Sequence, residues 1–336
     1  VEWRIKKIKL ELKYIWKISR NASEYKENFI VEFEQDGIIG LGEVAPNIRY
    51  NENPDIIQAA FTSFANRAQA PIEEVKELMR FLDIDNMPNA LRFGIESAFI
   101  HWYCKKNDIT IQDYLGVNKP EKVATCYTLP IMEVNEIAPF YEEYNLARFK
   151  HLKVKINDAS GLEMLEALQK VSNQSLMVDA NEAWKDVSQL VDFLPNLSKY
   201  PILFVEQPMP AHMAEEYVYL KKRSPFPIIA DESVLDKPDM NALEKQFHGI
   251  NMKLMKAGGY LNGLRILNEA RKRNMLTMVG CMVETTIGIH SAWNLCADVT
   301  YADLDGCLIV ANEPFHLLKE EQGYLSEQVQ DTSMHQ

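Results

Sequence analysis

The chain has 336 residues and a mass of 38.7 kDa, enough for two domains or one large barrel with an addition. Hydrophobic residues make up 47% and charged residues 25%, which excludes wholesale disorder and a core that needs disulfide or metal staples. The net charge of −12, from 36 basic and 48 acidic residues, excludes a broad phosphate-binding surface, so no nucleic-acid partner is expected.

Five cysteines (Cys104, Cys126, Cys281, Cys296 and Cys307) form no CxxC pair, as expected for free thiols in a reducing compartment. The seven histidines form no HxxxH or HExxH spacing. No apolar run approaches the length of a membrane span. The N-terminus alternates apolar with basic residues, unlike the single apolar block of a signal peptide. A cytoplasmic, soluble protein with no membrane partner is expected, its start at Val1 reflecting a trimmed terminus. Association into a homo-oligomer stays open.

Residues 1–45 read as antiparallel β-structure. Ile8, Leu10, Leu12, Tyr14, Trp16 and Ile18 recur every second residue, while Trp3 and Ile5 keep the opposite parity, so a bulge is expected near Lys6–Lys7. Ser19–Glu27 is polar and reads as a loop. Phe29–Glu34 and Ile38–Glu43 flank the turn signal Gln35-Asp36-Gly37 and read as a hairpin. Residues 54–106 carry helical periodicity, with Asp55 as an expected cap and Ala90, Phe93, Ile95, Ala98, Phe99 and Trp102 on a largely apolar helix. Strands followed by helices make this first region α+β.

From about residue 120 short apolar runs alternate with helical stretches. The runs are 123–129, 151–156, 175–178, 202–205, 228–230, 250–254, 277–283 and 302–304. They lack clean alternation, as parallel strands covered on both faces do. The fold class expected is α/β: a (β/α)8-type barrel, a modified TIM barrel, with an α+β N-terminal capping domain. The capping domain is expected over 1–115, joined by part of the tail 312–336, and the barrel over 116–311.

Three consecutive barrel strands end in a carboxylate: Asp179, Glu206 and Asp231, spaced 27 and 25 residues apart. Parallel strands bring all three to the C-terminal rim, where barrel active sites lie. Uncompensated, they would repel; a hard divalent cation removes the conflict, and oxygen-only ligands favour Mg²⁺, with Mn²⁺ as the alternative. The plainer role of capping the next helix suits Asp but not Glu206, which Pro208 follows. Asn181, two residues beyond Asp179, is placed to orient a ligand.

One unit earlier, Leu152-Lys153-Val154-Lys155-Ile156 alternates, so its lysines share one face. The apolar face suits the surrounding helices, and the lysines therefore look inward near the rim. Ammonium groups so close, beside a cation, are expected to depress each other's pKa, which tunes a lysine for general-base work. Lys253 lies 22 residues after Asp231 on the sixth strand and faces Lys155, on the second, across the barrel. Lys256 falls outside the strand and reads as structural or solvent-exposed. The last strand ends in Asp303-Leu-Asp305, without the glycine and terminal glutamate of a calcium loop; two anions on one face can receive an ammonium.

Taken together, these residues resemble the enolase superfamily, in the subgroup of muconate-lactonizing-type enzymes. The resemblance spans nearly the whole chain. It rests on the Gly40-Leu-Gly-Glu43 turn, Lys153-x-Lys155, Val178-Asp-Ala-Asn181, Val205-Glu-Gln-Pro208, Ala230-Asp-Glu-Ser233 and Asn251-Met-Lys253-Leu-Met-Lys256-x-Gly-Gly. Asp303-x-Asp305 is similar to the dipeptide epimerases of that subgroup. The resemblance implies Mg²⁺ on Asp179, Glu206 and Asp231, and Lys155 and Lys253 as acid/base residues. It implies a 1,1-proton transfer through an enediolate that inverts the C-terminal residue of a dipeptide, Lys153 neutralising a carboxylate oxygen. It further implies that Asp303, Asp305 and Thr128 contact the dipeptide substrate. A specificity cation is placed at Arg20, in the same polar stretch as Lys26, and would suit an acidic side chain. The L-Ala-D/L-Glu epimerases of murein peptide breakdown are the implied model. Gly280-Cys281-Met282 departs from the serine common in relatives. The readings in competition are another reaction of the superfamily (muconate cycloisomerase, o-succinylbenzoate synthase or N-acylamino acid racemase) and a non-catalytic metal or ligand binder.

Overall fold

The computed structural model describes residues 1–17, 22–83, 87–156 and 161–328. The N-terminal sheet is a three-stranded antiparallel ribbon of β1 (Glu2–Lys17), β2 (Ala22–Gln35) and β3 (Ile38–Val44) in that order. Gln35 pairs with Ile38 across Asp36 and Gly37, whose φ values of 57° and 73° meet the left-handed demand of a two-residue hairpin turn.

Three readings of this region are corrected. No bulge interrupts β1 near Lys6; pairing runs unbroken from Glu2 to Glu11, and the shift falls between Glu11 and Trp16. Parity changes along β1 because its two ends bury different faces. Trp3 stacks on Phe33 and Phe64 inside the cap, whereas Tyr14 packs on Phe140 and Tyr144 of the barrel. Residues 22–27 are not a loop but the start of β2, pairing with Lys9–Glu11 and Trp16–Lys17; their polarity reflects a ribbon with one wet face. Gly40-Leu-Gly-Glu43 is strand, not turn.

Helices α1 (Pro54–Arg67), α2 (Val75–Leu82) and α3 (Asn89–Asn107) cover the sheet. Asn53, not Asp55, caps α1: its side chain accepts from Ile56 N, and Pro54 follows it at the first helical position. α3 lies against β3 so closely that a methyl on Gly40 would strike the carbonyl of Ala98, and one on Gly42 that of Gly94. The glycines serve this approach rather than a turn.

After the two-residue strand β4 (Val123–Ala124) come eight parallel strands: β5 (Tyr127–Leu129), β6 (His151–Lys155), β7 (Ser175–Asp179), β8 (Ile202–Glu206), β9 (Ile228–Ala230), β10 (Gly249–Lys253), β11 (Leu276–Gly280) and β12 (Tyr301–Asp303). They form one sheet in sequence order, and Cys126 N donating to Ala302 O at 3.3 Å joins its two ends into a barrel. A helix follows each of the first seven strands. Among the described residues the eighth is followed only by the short turn Asp305–Cys307. The chain then returns through β13 (Leu318–Glu321) and β14 (Tyr324–Glu327), which pairs with β4.

Alternation sorts the strands into two faces. Leu152, Val154, Leu176, Val178 and Val205 join the main core beneath the helices. Cys126, Met177, Phe204, Ile229 and Met278 plug the barrel interior as a separate cluster, each such large side chain contributing about 1.5–3 kcal/mol. Two residues further along the same face stand Thr128, Asp179, Glu206 and Asp231. The inward face thus turns from apolar to charged within one pleat of the C-terminal rim.

The cap docks through buried carboxylates. Glu43 accepts from Thr285 N and Gly288 N at the start of the helix Thr286–Trp293, and Asn28 Nδ2 donates to it at 2.8 Å. Glu96, buried on α3, accepts from Leu261 N at 3.2 Å at the start of the helix Tyr260–Lys272. Both satisfy orphan N–H groups of helices belonging to the barrel. Gly42→Ala, by forcing β3 off α3, should lower stability by about 1–3 kcal/mol in urea unfolding; an unchanged midpoint would contradict the packing described.

Candidate active site

The rim carboxylates are almost fully buried, Asp179 at 1%, Glu206 at 0% and Asp231 at 3% exposure. Each has one oxygen tied to the scaffold. Asn181 N donates to Asp179 Oδ1 at 3.0 Å, Asn251 Nδ2 to Glu206 Oε1 at 2.8 Å, and Lys256 Nζ to Asp231 Oδ1 at 2.6 Å. The other oxygen of each meets an ammonium. Lys155 Nζ stands 2.6 Å from Asp179 Oδ2, Lys153 Nζ 2.7 Å from Glu206 Oε2, and Lys253 Nζ 3.0 Å from Asp231 Oδ2. Lys153 also reaches Asp179 Oδ2 at 3.2 Å and Asp303 Oδ2 at 2.8 Å.

This geometry reverses the electrostatic expectation for Lys153, and Lys253 behaves the same way. Burial pulls the Lys253 ammonium down and Lys153 adds to that, but Asp231 and Glu206 outweigh them and hold it well above its ordinary value. Lys153 is likewise raised: its burial is overcome by Asp303, Glu206 and Asp179. Among the acids, burial works upward throughout. Lys155 and Lys153 overcome it at Asp179, which falls to about 2, and Lys253 and Lys256 do so at Asp231, which is also lowered. Glu206 stays high, at about 6, through burial and repulsion from Asp179 and Asp231.

Backbone geometry beyond the strand ends sets these side chains. Asn181, Glu182 and Gln207 adopt left-handed φ values of 45°, 62° and 35°, which fold the chain sharply back at the ends of β7 and β8. The side chain of Gln207 accepts from Asp231 N at 2.9 Å and Ser233 N at 3.1 Å, locking the end of β8 to that of β9.

The other anticipated residues join the same place. Asp303 is lowered: Lys153 and Lys253 outweigh its burial, and Cys126 Sγ donates to it at 3.1 Å. Asp305 is pushed to about 7 by burial and by Asp303, and accepts from Thr128 N at 2.6 Å. Thr128, Lys153, Lys155, Asn181, Lys253, Asp303 and Asp305 all line one cavity of about 620 Å³ between the cap and the rim, as does Cys281. Asp231 lines it as well, while Asp179 and Glu206 do not. Arg20 lies outside the described residues.

Several contributors escaped the reading of the sequence. Asn251 and Gln207 are uncharged residues within the quoted motifs, and only their contacts reveal them. Lys256, read as structural or solvent-exposed, is only 1% exposed and tethers Asp231 through both its carboxylate and its carbonyl. Arg49, from the cap, grips Glu182 of the rim through two hydrogen bonds of 3.0 and 3.1 Å. Its only sequence signal is a charge next to Tyr50.

Whether a divalent cation suits this set is decided by its donors. Each of the three buried carboxylates turns one hard oxygen toward an ammonium, and Glu206 Oε2 meets Lys153 Nζ as an ion pair without a well-directed hydrogen bond. The repulsion that keeps Glu206 high is the kind a dication relieves. As they stand, these oxygens are spread over three ammonium groups, and among the described residues no three acidic, histidine or cysteine side chains are drawn onto one point. The donors fit Mg²⁺ in kind and charge.

The chain is similar to known proteins over most of its length. The family model described as enolase C-terminal domain-like matches residues 136–332. The chain is 31% identical to the L-Ala-D/L-amino acid epimerase of Pedosphaera parvula, over 94% of this chain and 93% of that protein. It is 30% identical to the L-Ala-D/L-Glu epimerase of Escherichia coli, over 86% of this chain and 88% of the relative. The crystal structure of a dipeptide epimerase from Enterococcus faecalis, complexed with Mg and the dipeptide L-Leu-L-Tyr, is similar with a TM-score of 0.88 and 27% identity. The match covers 97% of this chain and 96% of that one.

Lys256→Met should cost about 3–5 kcal/mol of stability by leaving the buried Asp231 without its structural tether. Denaturant titration measures this, and a variant as stable as the parent would show that Lys253 alone suffices.

Proposed function

The chain belongs to the enolase C-terminal domain-like family, and from that premise we propose that it is a magnesium-dependent dipeptide epimerase acting on the α-carbon of the C-terminal residue. One observation carries the reading. Lys155 ends β6 and Lys253 ends β10, four strands apart in a closed sheet of eight, so their amines enter the cavity from opposite walls.

When bound, Mg²⁺ supplies positive charge against the substrate's terminal carboxylate, where negative charge develops as the α-proton leaves. Asp179, Glu206 and Asp231 would hold it. Lys153, buried between Asp179, Glu206 and Asp303, adds a second fixed positive charge on the same side. Lys155 takes the α-proton from one face and Lys253 delivers a proton to the other; for the opposite epimer the roles exchange. Asp303 and Asp305 receive the dipeptide's free ammonium, Asp305 held in place by Thr128 N.

The finer reading is an L-Ala-D/L-Glu substrate and a role in breaking down cell-wall peptide in the cytoplasm. The named activity of the Escherichia coli relative supports the substrate in this reading. We also propose the division into a cap of residues 1–115, with part of 312–336, and a barrel of 116–311.

Incubation with L-Ala-L-Glu in D₂O and Mg²⁺ should place deuterium at the C-terminal α-carbon and produce the epimer. Lys155→Ala and Lys253→Ala should each slow inversion by about 10²–10⁴-fold. Failure to label any dipeptide would refute the reading. Chelation by EDTA should abolish labelling, and added Mg²⁺ restore it, with circular dichroism unchanged; labelling that survives exhaustive chelation would exclude the metal. Asp303→Asn with Asp305→Asn should abolish dipeptide turnover; if it does not, the superfamily reactions on substrates without an ammonium become the better account.

A further inference from the structure

Two buried acids have no part in the chemistry proposed above. Glu43, on β3 of the cap, is fully buried, and Glu284, between β11 and the helix Thr286–Trp293 of the barrel, is 3% exposed. Both stand over Gly288: a methyl there would strike Glu284 Oε2 and crowd Glu43 Oε2. The two carboxyls thus meet across the seam between cap and barrel. Neither lines the cavity.

Their surroundings differ. Glu43 accepts from Asn28 Nδ2 at 2.8 Å, Thr285 N at 2.9 Å, Thr285 Oγ1 at 2.7 Å and Gly288 N at 3.0 Å, so four donors share its charge. Among the described residues Glu284 accepts only from Met282 N, at 2.7 Å. Burial and the Glu43 charge push its carboxyl up to about 8, against the pull of Met282 N and Lys253. Burial raises Glu43 as well, against its own donors. Lys253, the cation that acts on Glu284, is already held by Asp231. The thiols of Cys281 and Cys307 also face the pair; burial pushes both up, so they bring no charge. Glu313 accepts from Thr286 N at 3.1 Å on the same helix start and adds no positive charge.

We propose that Glu43 and Glu284 hold one proton between them, and that its loss weakens the seat of the cap on the barrel. Neighbouring buried carboxyls resist ionising together. Here one belongs to the cap and the other to the barrel, so their repulsion acts to part the two. Asn28 donates both to Glu43 and to Val283 O, the latter at 2.9 Å, and Asn28 and Val283 line the cavity. The shared proton therefore bears on a wall of the site.

Glu284→Gln keeps the shape of the acid without a titrating proton. A carboxyl held above its unfolded value contributes fully below about pH 4, and that contribution drains away as pH rises toward the folded value. Urea unfolding of parent and variant from about pH 4 to about pH 9 should show the variant gaining on the parent. The gain should approach about tenfold in the folding equilibrium constant per pH unit and level off near pH 8. Infrared difference spectra, parent against variant, should carry the band of an un-ionised carboxyl at mildly acidic pH and lose it at alkaline pH. Glu43→Gln should narrow the pH range over which the protein weakens, because Glu284 then ionises earlier. Stabilities that run parallel at every pH, or a difference spectrum without the carboxyl band, would overturn the proposal. So would a Glu43→Gln protein that keeps the full pH dependence of the parent. These outcomes are independent of the reaction assigned to the cavity.

Discussion

At the rim of the barrel Asp179, Glu206 and Asp231 are each divided between two partners. One oxygen is fastened to the scaffold by an amide or a buried lysine, and the other faces an amine in the cavity. Three acids buried this deeply would not stay ionised together without compensation, since opposite charges at such separations are worth about 4 kcal/mol at the effective dielectric of a protein. The lysines supply that compensation in the free protein. The same amines are the groups placed to act on a substrate, so the forces that make the site foldable also set the protonation from which it starts.

The cap depends on a related device. Glu43 and Glu96 insert into the N-terminal turns of two barrel helices, where N–H groups have no partner in their own helix. Burial raises both acids, Glu96 to about 7. Gly259 gives Glu96 room, for a side chain there would overlap its carboxylate. These contacts, with Arg49 on Glu182 and Asn28 on Val283, seat β2 and the Arg49 loop over the cavity. A wall of the site is thus built from the domain that carries none of the rim acids.

The chemical skeleton was legible before any coordinates. Acids repeated at the ends of successive strands, and a Lys-x-Lys on an alternating strand, have one face to occupy once the barrel is granted. Less legible was the N-terminal ribbon. Its polar residues 22–27 resemble a loop because composition reports solvent, not pairing. The Gly40-x-Gly42 spacing resembles a turn because glycine reports missing volume, whether a bend or a nearby helix requires it.

What the sequence by itself determined is periodic and local: eight strands with helices between them, a charged residue where each of three strands stops, and an Asp-Gly hairpin. These follow from side-chain alternation and backbone preference, which need only near neighbours. What the tertiary structure alone decided is which charges face one another. Lys153, expected to be depressed, is instead raised by carboxylates from other strands, Lys256 turns inward onto Asp231, and Arg49 from the cap meets Glu182 of the rim. Such pairings join residues distant in the chain, and electrostatic energy depends on separation and burial in space, which no local pattern encodes.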